Sequence, residues 1–208
     1  TTTPPDILHP TITLRTSYVN DTTCIDSLKL PVNVFPHIYP EFSYDSTGCH
    51  PLDVTFTNQT VAYGGVGNAS YLWDLGTGVS SFDQNTTFGY TNTSQTDDST
   101  FTIRLRATSI HGCEDSITHQ VVVHPRPYAA MELVGEYISC PPFDVEIDNN
   151  SIGTNLTYIY DFGDGDDSTT TSGANMHHLF HNLSSETQPY QIGLRTVTGF
   201  GCDDSVSQ

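Results

Sequence analysis

The chain is 208 residues long and carries 24 acidic side chains against 6 basic ones, for a formal net charge of −18. A surface this acidic argues against nucleic acid and anionic membranes as partners, because both attract cationic patches. No apolar run approaches the length of a membrane span, and the charge serves to keep the chain soluble and to oppose self-association at low salt.

Along the chain, apolar residues alternate with polar ones. Ile12-Thr13-Leu14-Arg15 is the first example, followed by Val32 and Val34. Val54-Thr55-Phe56-Thr57 ends at an Asn-rich turn, and Tyr71, Trp73 and Leu75 then share one face. Phe101-Thr102-Ile103-Arg104-Leu105-Arg106-Ala107 alternates strictly, and Val121 and Val123 close the set. The series returns as Val145-Glu146-Ile147-Asp148, then Tyr158, Tyr160 and Phe162, then Tyr190-Gln191-Ile192-Gly193-Leu194-Arg195. Period-two alternation predicts half-buried antiparallel strands, and many short strands without a helical segment predict an all-β sandwich. Prolines in Phe35-Pro36-His37-Ile38-Tyr39-Pro40 and His124-Pro125-Arg126-Pro127 stop the last strand of each set and leave short, stiff links.

The cysteines give this recurrence its length. Cys24, Cys113 and Cys202 follow one another at 89 residues, in phrases such as Gly112-Cys113-Glu114-Asp115-Ser116 and Gly201-Cys202-Asp203-Asp204-Ser205. Cys49 and Cys140 open two copies, as Cys49-His50-Pro51 and Cys140-Pro141-Pro142. A self-similar period of this length marks tandem copies of a domain-sized unit. Its phase places the end of one copy at 1–37, a complete copy at 38–126, and a third copy lacking its last strand at 127–208. Both terminal copies are therefore expected to be incomplete. The disulfides expected within a copy are Cys49–Cys113 and Cys140–Cys202, closing loops of 64 and 62 residues, with the partner of Cys24 outside the chain. Paired cysteines point to an oxidising, extracellular compartment, and no CxxC or short Cys/His spacing suits a metal.

Tyr160-Asp161-Phe162-Gly163-Asp164-Gly165 resembles the (W/Y)DFGDG signature of the polycystic kidney disease (PKD) domain. Trp73-Asp74-Leu75-Gly76-Thr77-Gly78 is a degenerate version, with Leu for Phe and Thr for the second Asp. The early Cys-x-Pro before a Val-rich strand and the late Gly-Cys-x-Asp-Ser are similar to the cysteine-bearing PKD arrays of large secreted surface proteins in gliding and related bacteria. The resemblance covers essentially the whole chain. It implies tandem immunoglobulin-like β-sandwiches of about 89 residues each, and it implies fold rather than function.

In the signature, the aromatic and Phe/Leu positions are expected to plug the core and the glycines to take positive φ in a tight turn. Asp74 and Asp161 are expected to accept hydrogen bonds from turn amides. Asp161, Asp164, Asp166 and Asp167 would suit calcium, which takes clustered oxygens. The first copy has Thr77, Val79 and Ser80 at three of those places, which favours a solvated acidic turn, and no cofactor is expected. His177 and His181 would share a strand face, without a visible third metal ligand. Sequons stand at Asn20, Asn58, Asn68, Asn85, Asn92, Asn149, Asn155 and Asn182. The resemblance adds O-glycans at Asp-Ser phrases, once per copy at Ser27, Ser116 and Ser205. No nucleophile elbow or paired-carboxylate pattern recurs between copies, so catalysis is not expected.

These readings converge on a structural and adhesive segment of a large secreted cell-surface protein, with disulfide-stapled sandwiches on short links forming an extended rod or filament. Its partners would be neighbouring repeats, further copies in a filament, and a carbohydrate or surface ligand. The competing expectation is an accessory substrate-binding module of a secreted hydrolase such as a protease or chitinase. That role needs an exposed aromatic row, and Tyr39, Tyr44, Tyr63, Phe82, Tyr128 and Tyr137 do not as a set line up convincingly between copies.

Overall fold

A computed structural model describes residues 7–19 and 21–208 of the chain. Among these residues there is no α-helix, and strands carry the fold. β1 (Thr11–Tyr18) and β2 (Asp21–Pro31) form an antiparallel hairpin in which Leu14 lies opposite Leu28. Eight strands follow: β3 (Phe42–Ser43), β4 (Thr47–Cys49), β5 (Leu52–Asn58), β6 (Ala69–Asp74), β7 (Ser80–Ser81), β8 (Thr86–Tyr90), β9 (Ser99–Ser109) and β10 (Glu114–His124). They form two sheets, ordered β3-β5-β8 and β4-β10-β9-β6-β7. The plan is then repeated by β11 (Met131–Val134), β12 (Phe143–Asn149), β13 (Thr157–Asp161), β14 (Asp167–Thr170), β15 (Met176–Phe180), β16 (Gly193–Val197) and β17 (Asp203–Ser207). Their sheets are β11-β12-β15 and β14-β13-β16-β17. Two sheets, antiparallel apart from the short parallel β4–β10 pair, with inward-facing alternate residues are the immunoglobulin-like sandwich the alternation predicts.

The chain divides into two compact units. One holds Thr1–Tyr44, Thr55–Phe88 and Phe101–Gln120; the other holds Asp45–Val54, Gly89–Thr100 and Val121–Gln208. In the first unit Ile38, Phe56, Trp73, Ile103 and Leu105 are fully buried. Phe42 packs edge-on to Trp73 with ring centroids 5.1 Å apart, and the indole N–H donates to the Asp83 carbonyl at 3.0 Å. Edge-to-face packing and a satisfied indole are what allow so large a ring into a core. In the second unit Ile147, Tyr160, Leu194, Phe162 and Ile192 are buried together, and Val54, Val121 and Val123 are also shut off from solvent. Each such side chain contributes roughly 1.5–3 kcal/mol by burial.

The β1–β2 hairpin departs from the half-buried strand expected of it. Ile12 and Leu14 are 61% and 62% exposed, whereas Ile103, one period after Leu14, is fully buried. Among the described residues β1-β2 is a two-stranded sheet of its own, and its apolar Ile12 and Leu14 stay open to solvent.

Candidate functional site at the repeat junction

Cys113 and Cys202 are presented by the same turn. Between β9 and β10, Gly112 takes φ 80° and its N–H donates to the Ser109 carbonyl at 2.9 Å. Cys113 N–H donates to the Ser109 hydroxyl at 3.1 Å, and Ser109 N–H donates to the Cys113 carbonyl at 2.8 Å. Between β16 and β17, Gly201 at φ 83°, Thr198 and Cys202 repeat these three bonds at 3.0, 3.1 and 2.8 Å. A left-handed φ at this point is open to glycine with little strain, which accounts for the Gly-Cys phrase.

The early cysteine is placed by a different contact. β4 pairs in parallel with the end of β10, setting Cys49 opposite His124, and His50 N–H donates to the His124 carbonyl at 3.0 Å. Cys49 is bonded to Cys202, across 153 residues of sequence. The expected pairs Cys49–Cys113 and Cys140–Cys202 are therefore corrected: the staple joins cysteines of two successive sequence periods, and both lie in the second compact unit. The reason is strand length. Cys113 precedes the first residue of β10, while Cys49 lies beside its last. Ten residues of strand span about 33 Å, and a disulfide needs Cα atoms within about 7 Å. Cys113 and Cys140 are free thiols, the first half-buried and the second exposed. The side chain of Cys24 lies outside the described residues.

His124 organises the contacts around the staple. It is 8% exposed, and its ring stacks on Phe200 with centroids 3.6 Å apart. Its Nδ1 lies 2.7 Å from the Asp98 carboxylate, and its Nε2 shares a hydrogen bond with the Thr47 hydroxyl at 2.8 Å. Arg126, two residues on, reaches Asp204 at 2.9 Å, and the other Asp204 oxygen accepts the Ala129 N–H at 3.0 Å. One period earlier the first unit repeats the motif with residue types exchanged. Phe35 stacks on His111 at 3.8 Å and His37 reaches Asp115 at 3.1 Å. Asp115 and Asp204 of two Asp-Ser phrases thus anchor the segments at His37 and Arg126 that follow β2 and β10. Sequence reading missed this set; the signal was available in Phe35/His124 and His111/Phe200, which are one period apart and exchange ring types.

The signature turns match their expected roles. Asp74 accepts the Gly76 N–H at 3.0 Å and Asp161 the Gly163 N–H at 2.9 Å. Gly76, Gly78, Gly163 and Gly165 all take positive φ, while Trp73 and Tyr160 are fully buried and Phe162 is nearly so. Of the four aspartates with calcium-like spacing, Asp164 and Asp166 come together, with His178 rather than with Asp161 or Asp167. His178 Nε2 lies 2.7 Å from the Asp164 carboxylate and its ring stacks on Phe162 at 3.8 Å. Partial burial pushes the Asp164 carboxyl up, but the His178 hydrogen bond, the Asp166 N–H and the charge of His178 outweigh it and hold the group below the usual carboxylate range. His177 lies near Asp144 and Glu146 instead.

Four sequons turn out to be turns. The side-chain carbonyls of Asn58, Asn92, Asn149 and Asn182 accept the N–H two residues on, from Thr60, Ser94, Ser151 and Ser184 at 2.9, 2.9, 3.1 and 2.9 Å. An Asx turn followed by Ser or Thr reproduces the sequon pattern for structural reasons. Asn92 also donates both amide hydrogens, to the carbonyls of Asp97 and Val123. With Asn58 8% and Asn92 3% exposed, neither has room for a glycan in the folded chain, and both are withdrawn as acceptors. Asn68, Asn85 and Asn155 are exposed, as are Ser27 and Ser205. Ser116 is half-buried and accepts a hydrogen bond from Arg104 at 3.1 Å. Asn20 lies outside the described residues.

No family model and no curated protein matches the chain. Among solved structures it is similar to the PKD1 domain of Vibrio anguillarum Epp, with 22% identity and a TM-score of 0.37, over 44% of this chain and 99% of that one. It is similar to SGBP-B of the Bacteroides ovatus mixed-linkage glucan utilization locus, solved with a mixed-linkage heptasaccharide, with 17% identity and a TM-score of 0.31, over 84% of this chain and 47% of that one. It is also similar to immunoglobulin domains 1–5 of Sidekick-1, with 6% identity and a TM-score of 0.30, over 96% of this chain and 44% of that one. The chain spans less than half the length of the last two. The likeness is one of fold.

Proposed function

We propose that this chain is a structural and adhesive repeat segment of a large secreted surface protein, of the rod or filament kind, with repeats at 1–37, 38–126 and 127–208. The observation that supports this reading is the Cys49–Cys202 staple, which links cysteines of two successive sequence periods, 153 residues apart, within one compact unit. Such a bond limits how far the 153 residues between its two cysteines can lengthen when the chain is pulled. A disulfide of this kind also belongs to an oxidising compartment, and a net charge of −18 suits a surface bathed in solvent. The exposed candidates Asn68, Asn85, Asn155, Ser27 and Ser205 could carry sugars there without disturbing the core.

The accessory-module reading would need aromatics in a row. Tyr39 and Tyr128 do stand one period apart, half-exposed, each in an isolated bridge to the following segment, at Val61 and Ile152. One tyrosine per repeat beside a link is thin provision for an insoluble substrate. The test is the intact mass of the native polypeptide recovered from the cell exterior. A mass several times the 22.8 kDa of this chain, with further 89-residue periods in its peptides, is the expected result. A mass with room for one catalytic domain and few repeats would overturn the proposal.

A further inference from the structure

We propose that Cys49–Cys202 is one rung of a series tying each repeat to the next, and that Cys113 and Cys140 are open half-rungs whose partner is a further copy of this repeat. Cys113 takes an early-type cysteine, from a Cys-x-Pro phrase. Cys140 takes a late-type cysteine, from a Gly-Cys-x-Asp-Ser phrase.

Two independent observations set Cys113 apart from a stray thiol. First, it is held in the turn that holds bonded Cys202, with the same three hydrogen bonds and the same left-handed glycine before it. Second, the surroundings of a rung are already assembled next to it. Phe35 stacks on His111 as His124 stacks on Phe200, and His37 reaches Asp115 as Arg126 reaches Asp204. At the completed rung, β4 is held by the Val122 N–H on the Ser46 carbonyl and by the His50 N–H on the His124 carbonyl, at 2.9 and 3.0 Å. Asn33 and Phe35 stand one period before Val122 and His124. A strand bearing an early cysteine and added at that edge would carry its sulfur to Cys113, as β4 carries Cys49 to Cys202.

Cys140 is the complementary half. It precedes β12 by three residues, as Cys49 precedes β5. It is exposed and opens on a cavity of about 620 Å³ lined by Leu133, Phe143, Phe180 and Ile192. In the preceding repeat, Cys49 instead lies against the end of β10, whose Val121 and Val123 are fully buried. A further copy would bring the late turn that Cys140 lacks.

Closing a rung is a thiol–disulfide exchange. One cysteine thiolate attacks a disulfide of an oxidising dithiol protein or a small disulfide, giving a mixed disulfide, and the partner thiolate then displaces the carrier. The two thiols lose two protons, and their two electrons reduce the donor disulfide to its dithiol. The further copy can belong to the same polypeptide, with the 153-residue separation kept, or to a second chain, because both offer the same two phrases. The inference concerns which thiols pair and goes beyond the surface-segment reading.

The test is disulfide mapping of the native polypeptide, isolated without reduction, with free thiols alkylated before digestion. The expected products are Cys49 linked to Cys202, Cys113 linked to a Cys-x-Pro peptide, and Cys140 linked to a Gly-Cys-x-Asp-Ser peptide. An unreduced mass equal to the reduced one assigns the copies to one polypeptide. A ladder of multiples that collapses on reduction assigns them to separate chains. Alkylated or glutathione-capped Cys113 and Cys140 would overturn the proposal, as would Cys49–Cys113 and Cys140–Cys202 pairs. The latter pattern leaves the surface-segment reading standing, whereas a small, enzyme-bearing polypeptide defeats that reading without touching the rungs.

Discussion

Gly163 and Gly165 are two residues apart in one turn and hold their places for different reasons. Gly163 sits at φ 74°, and a Cβ there would meet the Gln191 carbonyl oxygen at 2.6 Å. Gly165 sits at φ 101° with open space around it. Gly163→Ala is expected to cost about 2–4 kcal/mol, from the left-handed backbone plus a clash that no side chain can relieve, and Gly165→Ala about 1 kcal/mol from the backbone alone; urea unfolding measures both. The neighbouring Asp164 supplies a pH dependence. Its carboxyl titrates lower folded than unfolded, so its contribution is present above the unfolded value near 4 and is lost as pH falls through the folded one. Asp164→Asn should flatten the acid limb of a stability-against-pH curve by lowering stability at neutral pH while leaving the acid end little changed; an unchanged acid limb would refute the assignment. The turn was legible because Tyr-Asp-Phe-Gly-Asp-Gly names both its core plugs and its φ-positive glycines. His178 was not legible, since nothing in a strand's alternation says that its ring will lie on Phe162.

At the scale of elements, alternation placed β5, β6, β9 and β10 and their later counterparts, because a half-buried strand writes its burial into every second residue. It could not place β4. Three residues of Thr-Gly-Cys carry no period, and the parallel pairing with β10 is a long-range contact. The disulfide topology failed with it: Cys113 and Cys202 are interchangeable by period, and only β4 decides between them. The Asx turns show the opposite lesson, a local pattern with a structural cause mistaken for a modification signal. Asn92 brackets the loop after β8 to the end of β10 through Asp97 and Val123, at 2.8 and 2.9 Å. Removing it by Asn92→Ala strands buried backbone groups, at about 2–3 kcal/mol. The counterpart Asn182, whose amide donates to the Glu186 carbonyl at an exposed site, should cost about 1 kcal/mol or less when changed to Ala. Equal losses in thermal unfolding would show that Asn92 is not the bracket its contacts describe.

For the whole molecule, the placement of one bond governs the response to tension. With Cys49–Cys202 intact, a force applied across the chain cannot lengthen the residues between the two sulfurs, whatever happens to the sheets they contain. Reduction frees 153 residues at once, or about 500–550 Å of contour at 3.3–3.6 Å per residue. Staples closed within repeats would behave differently, each hiding 64 or 62 residues and releasing about 200–230 Å. Single-molecule stretching of the 208-residue chain, before and after reductant, separates the two by the size of the hidden length. Cys49→Ser should abolish the long release and lower resistance to heat, since in the chain-entropy picture a loop of this size is worth about 5 kcal/mol. Cys113→Ser should change neither. Two releases near 200 Å in place of one near 500 Å would return the staples to the interior of each repeat, and the tension-limiting role would pass from the link between repeats to the repeat itself.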